Sequence, residues 1–161
     1  MTPATADHAT TIRVEREIAA PPEDVWALVS DVTQMGRWSP ETELCEWTAG
    51  ASGPVVGARF RGRNRNGKKQ WSTMATVTVA EPGRRFAFDV RVGPFRVARW
   101  EYRFEPADGG CVAAETYSDQ RGWLVTTVGT WISGVADRAA HNRATMETTL
   151  ERLGAAAEAA G

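Results

Sequence analysis

Three residues have the type and placement to move protons: Glu115, Asn142 and Tyr117. Glu115 lies in the stretch "GGCVAAETYS" (residues 109–118), with Tyr117 two positions on and so on the same face if the stretch is a strand. Asn142 falls where an apolar helical stripe expects a hydrophobic residue. A carboxylate turned inward needs a partner, and desolvation raises its pKa towards the range of a general base. The facing of this strand stays open: either Cys111, Ala113, Glu115 and Tyr117 point inward, or Val112, Ala114 and Thr116 do.

Around these groups the chain is rich in rings, with seven Trp, five Phe and two Tyr among 161 residues. Trp38, Phe60, Trp71, Phe86, Phe88, Trp100, Tyr102 and Trp123, with Met146, are candidate walls of a ligand-binding cavity. Glu41, on a turn after Pro40, and Asn64, sharing a face with Phe60 and Trp71, are candidate polar contacts. The competing reading makes the rings core filler, Glu41 a surface carboxylate and Asn64 a turn residue. His141, about 100° round the helix from Asn142, reads as a flanking, half-exposed histidine. Arg16 is a weaker candidate, on the apolar side of the first strand.

Other chemistries lack their residues. Of two histidines, one is in the N-terminal stretch, too few for a usual metal site, and neither metal nor cofactor is expected. No nucleophile elbow, P-loop or dinucleotide glycine pattern occurs. No Ser-His-Asp or Cys-His set can be assembled around His141 alone. The net charge of −1 sets up no global field towards nucleic acid or membrane. Cys45 and Cys111 suit reduced, buried thiols in a cytoplasmic protein. The opening "MTPATADHAT" has no signal-peptide pattern, and no apolar run approaches the roughly 20 residues of a transmembrane helix. The length suits one domain, expected over 11–158 after a polar, frayed tail at 1–10.

The elements that must position these residues follow from periodicity. Ile12, Val14 and Ile18 alternate, so 11–19 reads as a strand. Pro22, Glu23 and Asp24 open a helix with Val25, Trp26, Leu28 and Val29 on its apolar side. "DVTQMGRW" reads as a second short helix, capped by Asp31 and stopped at Gly36. Strands are expected at 41–49, 57–65, 68–80, 84–92, 96–105 and 109–118. From Trp131, Ile132, Val135, Ala139, Met146, Leu150 and Leu153 form one helical stripe.

In "RFRGRNRNGKKQW" (59–71), Arg59, Arg61, Arg63 and Arg65 share one face. Asn66-Gly67 signals a two-residue turn pairing Arg65 with Lys68 and Gly62 with Trp71. The Pro82-Gly83 turn, closed between Glu81 and Arg84, pairs Val79 with Phe86, Val77 with Phe88 and Ala75 with Val90. Pairing Phe88 with Trp100 and Phe86 with Tyr102 carries the same apolar face onward. That face must be covered by the final helix, leaving the arginines outside. A solvated outer surface is the plain reading of the arginine face; an anionic carrier protein or membrane surface is the alternative. Nucleic acid is not expected there, because no aromatics accompany the arginines.

The chain resembles the SRPBCC or START-like helix-grip superfamily. The resemblance is carried by "IAAPPEDVWALVSD" (18–31), "RWSPE" (37–41), "GARFRGRNRNG" (57–67), "EPGRRFAFDV" (81–90) and "HNRATMETTLERL" (141–153). It spans about residues 11–158 and is most specific for the polyketide cyclase/dehydrase and lipid-transport branch. It implies an α+β fold in which a curved antiparallel sheet of about seven strands wraps a long C-terminal helix, with two short helices after the first strand. It also implies a cavity for an apolar or aromatic ligand. Three functions follow: a carrier or sensor of a hydrophobic small molecule; an aromatase/cyclase-type enzyme in which Glu115, Asn142 or Tyr117 moves protons; or a protein-interaction module using the basic face. Fold alone does not choose among them.

Overall fold

The computed structural model describes residues 11–121 and 138–161. Trp123, the stretch 1–10 and the stripe positions Trp131, Ile132 and Val135 lie outside the described residues. The chain runs β1 (Thr11–Ile18), α1 (Pro22–Ser30), a 3-10 turn (Val32–Gln34) continuing into α2 (Met35–Trp38), then β2 (Thr42–Thr48), β3 (Arg59–Asn66), β4 (Lys69–Glu81), β5 (Arg85–Val92), β6 (Phe95–Ala107), β7 (Gly110–Asp119) and α3 (Arg138–Ala159). All seven strands form one antiparallel sheet in the order β1-β7-β6-β5-β4-β3-β2. It is the expected α+β helix-grip architecture, with α3 as the gripped helix.

Pro22 supplies the preset φ of the first turn of α1, and Glu23 and Asp24 meet the positive helix end. Trp26 ties this helix to the sheet by donating its indole N–H to the Arg85 carbonyl, 2.9 Å away. Asp31 caps the next turn by accepting from the Thr33 backbone N–H. The helix does not stop at Gly36 but runs through it to Trp38. Gly36 answers a different need: a Cβ there would come within 2.8 Å of the Glu43 carbonyl, so only glycine lets α2 lie against β2.

Two hairpins differ from the expected register. In β3–β4 the loop is Gly67-Lys68, with Asn66 paired to Lys69 and Asn64 to Trp71. Gly67 alone takes a positive φ, 60°, as a type II′ turn asks of its first central residue. The pairing therefore slips by two residues, which leaves every side chain on its expected face. In β4–β5 the turn holds three residues, Glu81 pairing with Arg85, and Gly83 takes φ 71°. Val79 consequently pairs with Ala87 rather than Phe86. A bulge at Thr78 then absorbs the extra residue, so Val77 pairs with Phe88 and Ala75 with Val90 as expected. Phe88 faces Trp100, and Phe86 faces Tyr102.

The inner face is the core. Ile12, Val14 and Ile18 of β1, Phe60 of β3, Ala75 and Val77 of β4, Phe86, Phe88 and Val90 of β5, Tyr102 and Phe104 of β6, and Cys111 and Ala113 of β7 are all buried. From α3 come Met146, Leu150, Leu153 and Ala157, a stripe at helical spacing. Gly154 lets α3 settle onto β1, because a Cβ there would lie 3.3 Å from Ile18 Cγ1. Arg16, across from it, remains exposed. No described helix is long and apolar enough to cross a membrane.

Candidate functional site

The facing of β7 is settled by its pairings. Glu115 lies opposite Val14 of β1 and Tyr102 of β6, and Tyr117 lies opposite Ile12 and Trp100. Since Val14, Ile12 and Tyr102 face the core, Cys111, Ala113, Glu115 and Tyr117 do as well. Glu115 is 2 % exposed and sits among apolar and aromatic side chains.

Among the described residues its one polar contact is the Tyr102 hydroxyl, which donates to Oε1 at 2.9 Å. The other oxygen, Oε2, is buried without a hydrogen-bond partner among them. Burial pushes the Glu115 carboxyl up from 4.5 to about 8, opposed only in part by the Tyr102 hydrogen bond. Burial and the neighbouring Glu115 raise the Tyr102 phenol well above its usual range. At neutral pH the pair is therefore a phenol beside a mostly protonated carboxylic acid.

Aromatic rings frame this pair. Trp47, Phe60, Phe88 and Phe86 form a chain of contacts with ring centroids 5.7, 5.1 and 5.7 Å apart. Phe60 on β3 reaches Phe88 on β5 diagonally across β4, whose residues there are Ala75, opposite Phe60, and Val77, opposite Phe88. Trp100 and Tyr117 stack at 4.9 Å on the side of β6 and β7. Trp47 escaped the sequence reading, although its alternation with Cys45 in "CEW" marks it as inward with Phe60, its cross-strand partner.

The sheet curls strongly. Cys45 on β2 is four strands from Tyr102 on β6, roughly 19 Å along a flat sheet. Yet Cys45 is close enough to add to the upward push on the Tyr102 phenol, after burial and Glu115. Cys45 is a free, buried thiol pushed up to about 12 by desolvation, and Cys111 is likewise free and buried. Neither has the thiolate character of a nucleophile.

A polar cluster lies further along the inner face. Asn64 donates to Thr73 at 3.4 Å, and the Thr42 hydroxyl, with one hydrogen to give, lies 3.4 Å from Asn64 Oδ1 and 3.2 Å from the Ser39 hydroxyl. Trp71, partly buried, is the cross-strand partner of Asn64. Nearby, Glu41 and His141 form a contact of 2.5 Å that joins the α2–β2 turn to the first turns of α3. Asn142 is buried on the α3 stripe, one turn before Met146. Trp38 is buried beneath α2, with the Arg37 guanidinium 4.5 Å above its ring and its indole N–H without a partner. The structure thus brings Glu115 together with Tyr102, and Tyr117 with Trp100, while Glu41, His141 and Asn64 form a separate polar region.

The outer face divides electrostatically. Over β5 and β6, Arg85, Arg99 and Arg103 pair with Glu101 and Asp89. On β3 only Arg65 has an acid partner, Glu43, while Arg59, Arg61 and Arg63 are exposed with no ion pair among the described residues. A hollow of about 290 Å³ lies beside them, lined by Arg61, Ser72, Thr73, Met74, Arg91 and Gly93.

A single curved antiparallel sheet gripping a C-terminal helix, with two short helices after β1, defines the SRPBCC/polyketide cyclase-like class. Within it the chain belongs to the family described as polyketide cyclase / dehydrase and lipid transport, which matches residues 9–158. The Polyketide_cyc-like protein Cgl2372 from Corynebacterium glutamicum is 34% identical over 92% of this chain and 83% of its own, with a TM-score of 0.54. Protein CV1439 from Chromobacterium violaceum shares the fold at a TM-score of 0.69 and 16% identity, over 92% of this chain and 97% of its own. The di-domain ARO/CYC StfQ from the steffimycin biosynthetic pathway is similar at a TM-score of 0.72 and 14% identity, over 92% of this chain and half, 50%, of its own. No curated protein matches the chain in sequence.

Proposed function

We propose that this protein binds a hydrophobic, aromatic small molecule between the sheet's inner face and the C-terminal helix. One observation carries the reading: the inner face holds the Trp47–Phe60–Phe88–Phe86 ring chain and the Trp100–Tyr117 stack together with the buried polar pair Tyr102–Glu115. Ligand pockets are built this way, mostly apolar with few convergent polar groups. Family membership supports it. The lining set comprises Trp38, Phe60, Phe86, Phe88, Trp100, Tyr102 and Met146, with Trp71, Asn64 and Glu41 towards one end. Native mass spectrometry of the freshly purified protein tests it: a retained apolar compound, or a mass shift on adding a polycyclic aromatic, is expected. A chain that neither retains nor takes up any such compound overturns it.

A second reading makes the same site catalytic, as an aromatase/cyclase-type enzyme. It is favoured by the buried acid pair and by the likeness to StfQ and to a second ARO/CYC, BexL, from the BE-7585A biosynthetic pathway. Glu115 would then act as general acid in its protonated form, with Tyr117 and Asn142 orienting the substrate. Glu115→Gln and Asn142→Ala should each slow turnover of a linear polyketide; unchanged turnover in both removes the assignment.

The outer face supports a partner as well. Three unpaired arginines beside a hollow fit an anionic carrier protein, with cytoplasmic residence consistent with two free, buried thiols.

A further inference from the structure

The Tyr102–Glu115 pair holds one more hydrogen than its own contact uses. A phenol and a neutral carboxyl each carry an acidic hydrogen. The 2.9 Å contact between the phenol oxygen and Oε1 consumes one of them, whichever way it runs. The other has no acceptor among the described residues, where Oε2 is buried without a partner. Ionisation does not remove the difficulty, because no positive group among the described residues offsets a charge on Glu115. A donor left unmet in apolar surroundings costs free energy comparable to a lost hydrogen bond. The side chains directly opposite the pair are apolar: Phe86 lies opposite Tyr102, and Val14 opposite Glu115.

Resting on the ligand-binding reading above, we infer that this pair selects ligands bearing a carbonyl oxygen on an aromatic ring system, by donating its spare hydrogen to that oxygen. A hydrocarbon of the same shape would bury the donor unmet. A carboxylate or phosphate would bring a full charge into a dry site with no cation to receive it. A ketone or quinone-type oxygen accepts the hydrogen without either cost.

The test uses fluorene and 9-fluorenone, which share three fused rings and differ by one carbonyl. Each is titrated into the full-length protein by calorimetry. The wild type should bind fluorenone at least about tenfold more tightly than fluorene, the discrimination expected of one buried hydrogen bond. The double variant Tyr102→Phe with Glu115→Met, which removes both hydrogens, should lose the fluorenone advantage, while Glu115→Gln, with an amide N–H, should retain part of it. In the infrared, the stretch of bound fluorenone should fall below its value in an apolar solvent. That reading needs no variant and stands if the double variant fails to fold. Equal affinity for the two probes, or an unshifted stretch, overturns the carbonyl inference while leaving ligand binding intact. Failure of both probes to bind overturns the binding reading, and this one with it.

Discussion

Glu115 is a carboxyl that folding takes out of water with a single hydrogen-bond donor beside it. Its pKa, raised from 4.5 to about 8, means the folded chain holds this proton more tightly than the unfolded chain. The resulting stability is fully present below about pH 4.5 and is lost as pH rises through 8. The shift corresponds to roughly 5 kcal/mol over that window. Urea unfolding of Glu115→Gln should therefore lack this downward slope between pH 5 and pH 8, whereas the wild type shows it; parallel pH profiles would contradict the assignment. Glu115 and Tyr117 were visible in the sequence as chemistry-bearing residues and Tyr102 as a wall of the cavity, but the partnership of Tyr102 with Glu115 was not. Both faces of "CVAAETY" mix small and polar residues, so hydrophobic contrast does not orient the strand. Only its pairing with two better-patterned neighbours, β1 and β6, does so.

Among the strands and turns, the β3–β4 hairpin gives a direct check. With Gly67 at φ 60° and Lys68 exposed, Gly67→Ala should cost about 1–2 kcal/mol and Lys68→Ala less than about 0.5, read from denaturant midpoints. The Glu41–His141 contact gives another, joining α3 to the α2–β2 turn across 100 residues of sequence. Glu41→Gln should speed amide exchange in the first turns of α3 and leave its last turns unchanged. Element type and facing were legible because alternation and the 3.6-residue stripe are strong over long segments. Register at the turns was not. Asn66-Gly67 and Gly67-Lys68 are both possible loops, and the bulge at Thr78 compensates a longer turn that no single residue announces. Gly36 reads as a helix stop in sequence, whereas its reason is the Glu43 carbonyl beside it.

Taken whole, the molecule separates two kinds of surface. Its concave side is mostly apolar, with the neutral Tyr102–Glu115 pair in it and the Asn64 cluster further along; its convex side leaves Arg59, Arg61 and Arg63 without acid partners among the described residues although the net charge is only −1. Reversing these three arginines to glutamate should weaken binding to an acidic carrier protein and flatten its salt dependence, with fluorenone affinity unchanged. Surface plasmon resonance at two ionic strengths reads the first effect, and equal affinity before and after reversal would count against the basic face as a dock. The concave site draws on β2, one edge of the sheet, and on β7, next to the other edge, so it exists only once nearly the whole sheet has closed.

Ala75 gives that closure a further meaning. Its single methyl group, opposite Phe60 on one side and Val90 on the other, leaves room for Phe60 and Phe88 to touch diagonally over the strand between them. A valine or leucine in its place would wedge the rings apart and thicken the floor beneath them. The position therefore behaves as a gauge of girth: the smaller the residue, the broader the molecule that can lie flat against the wall.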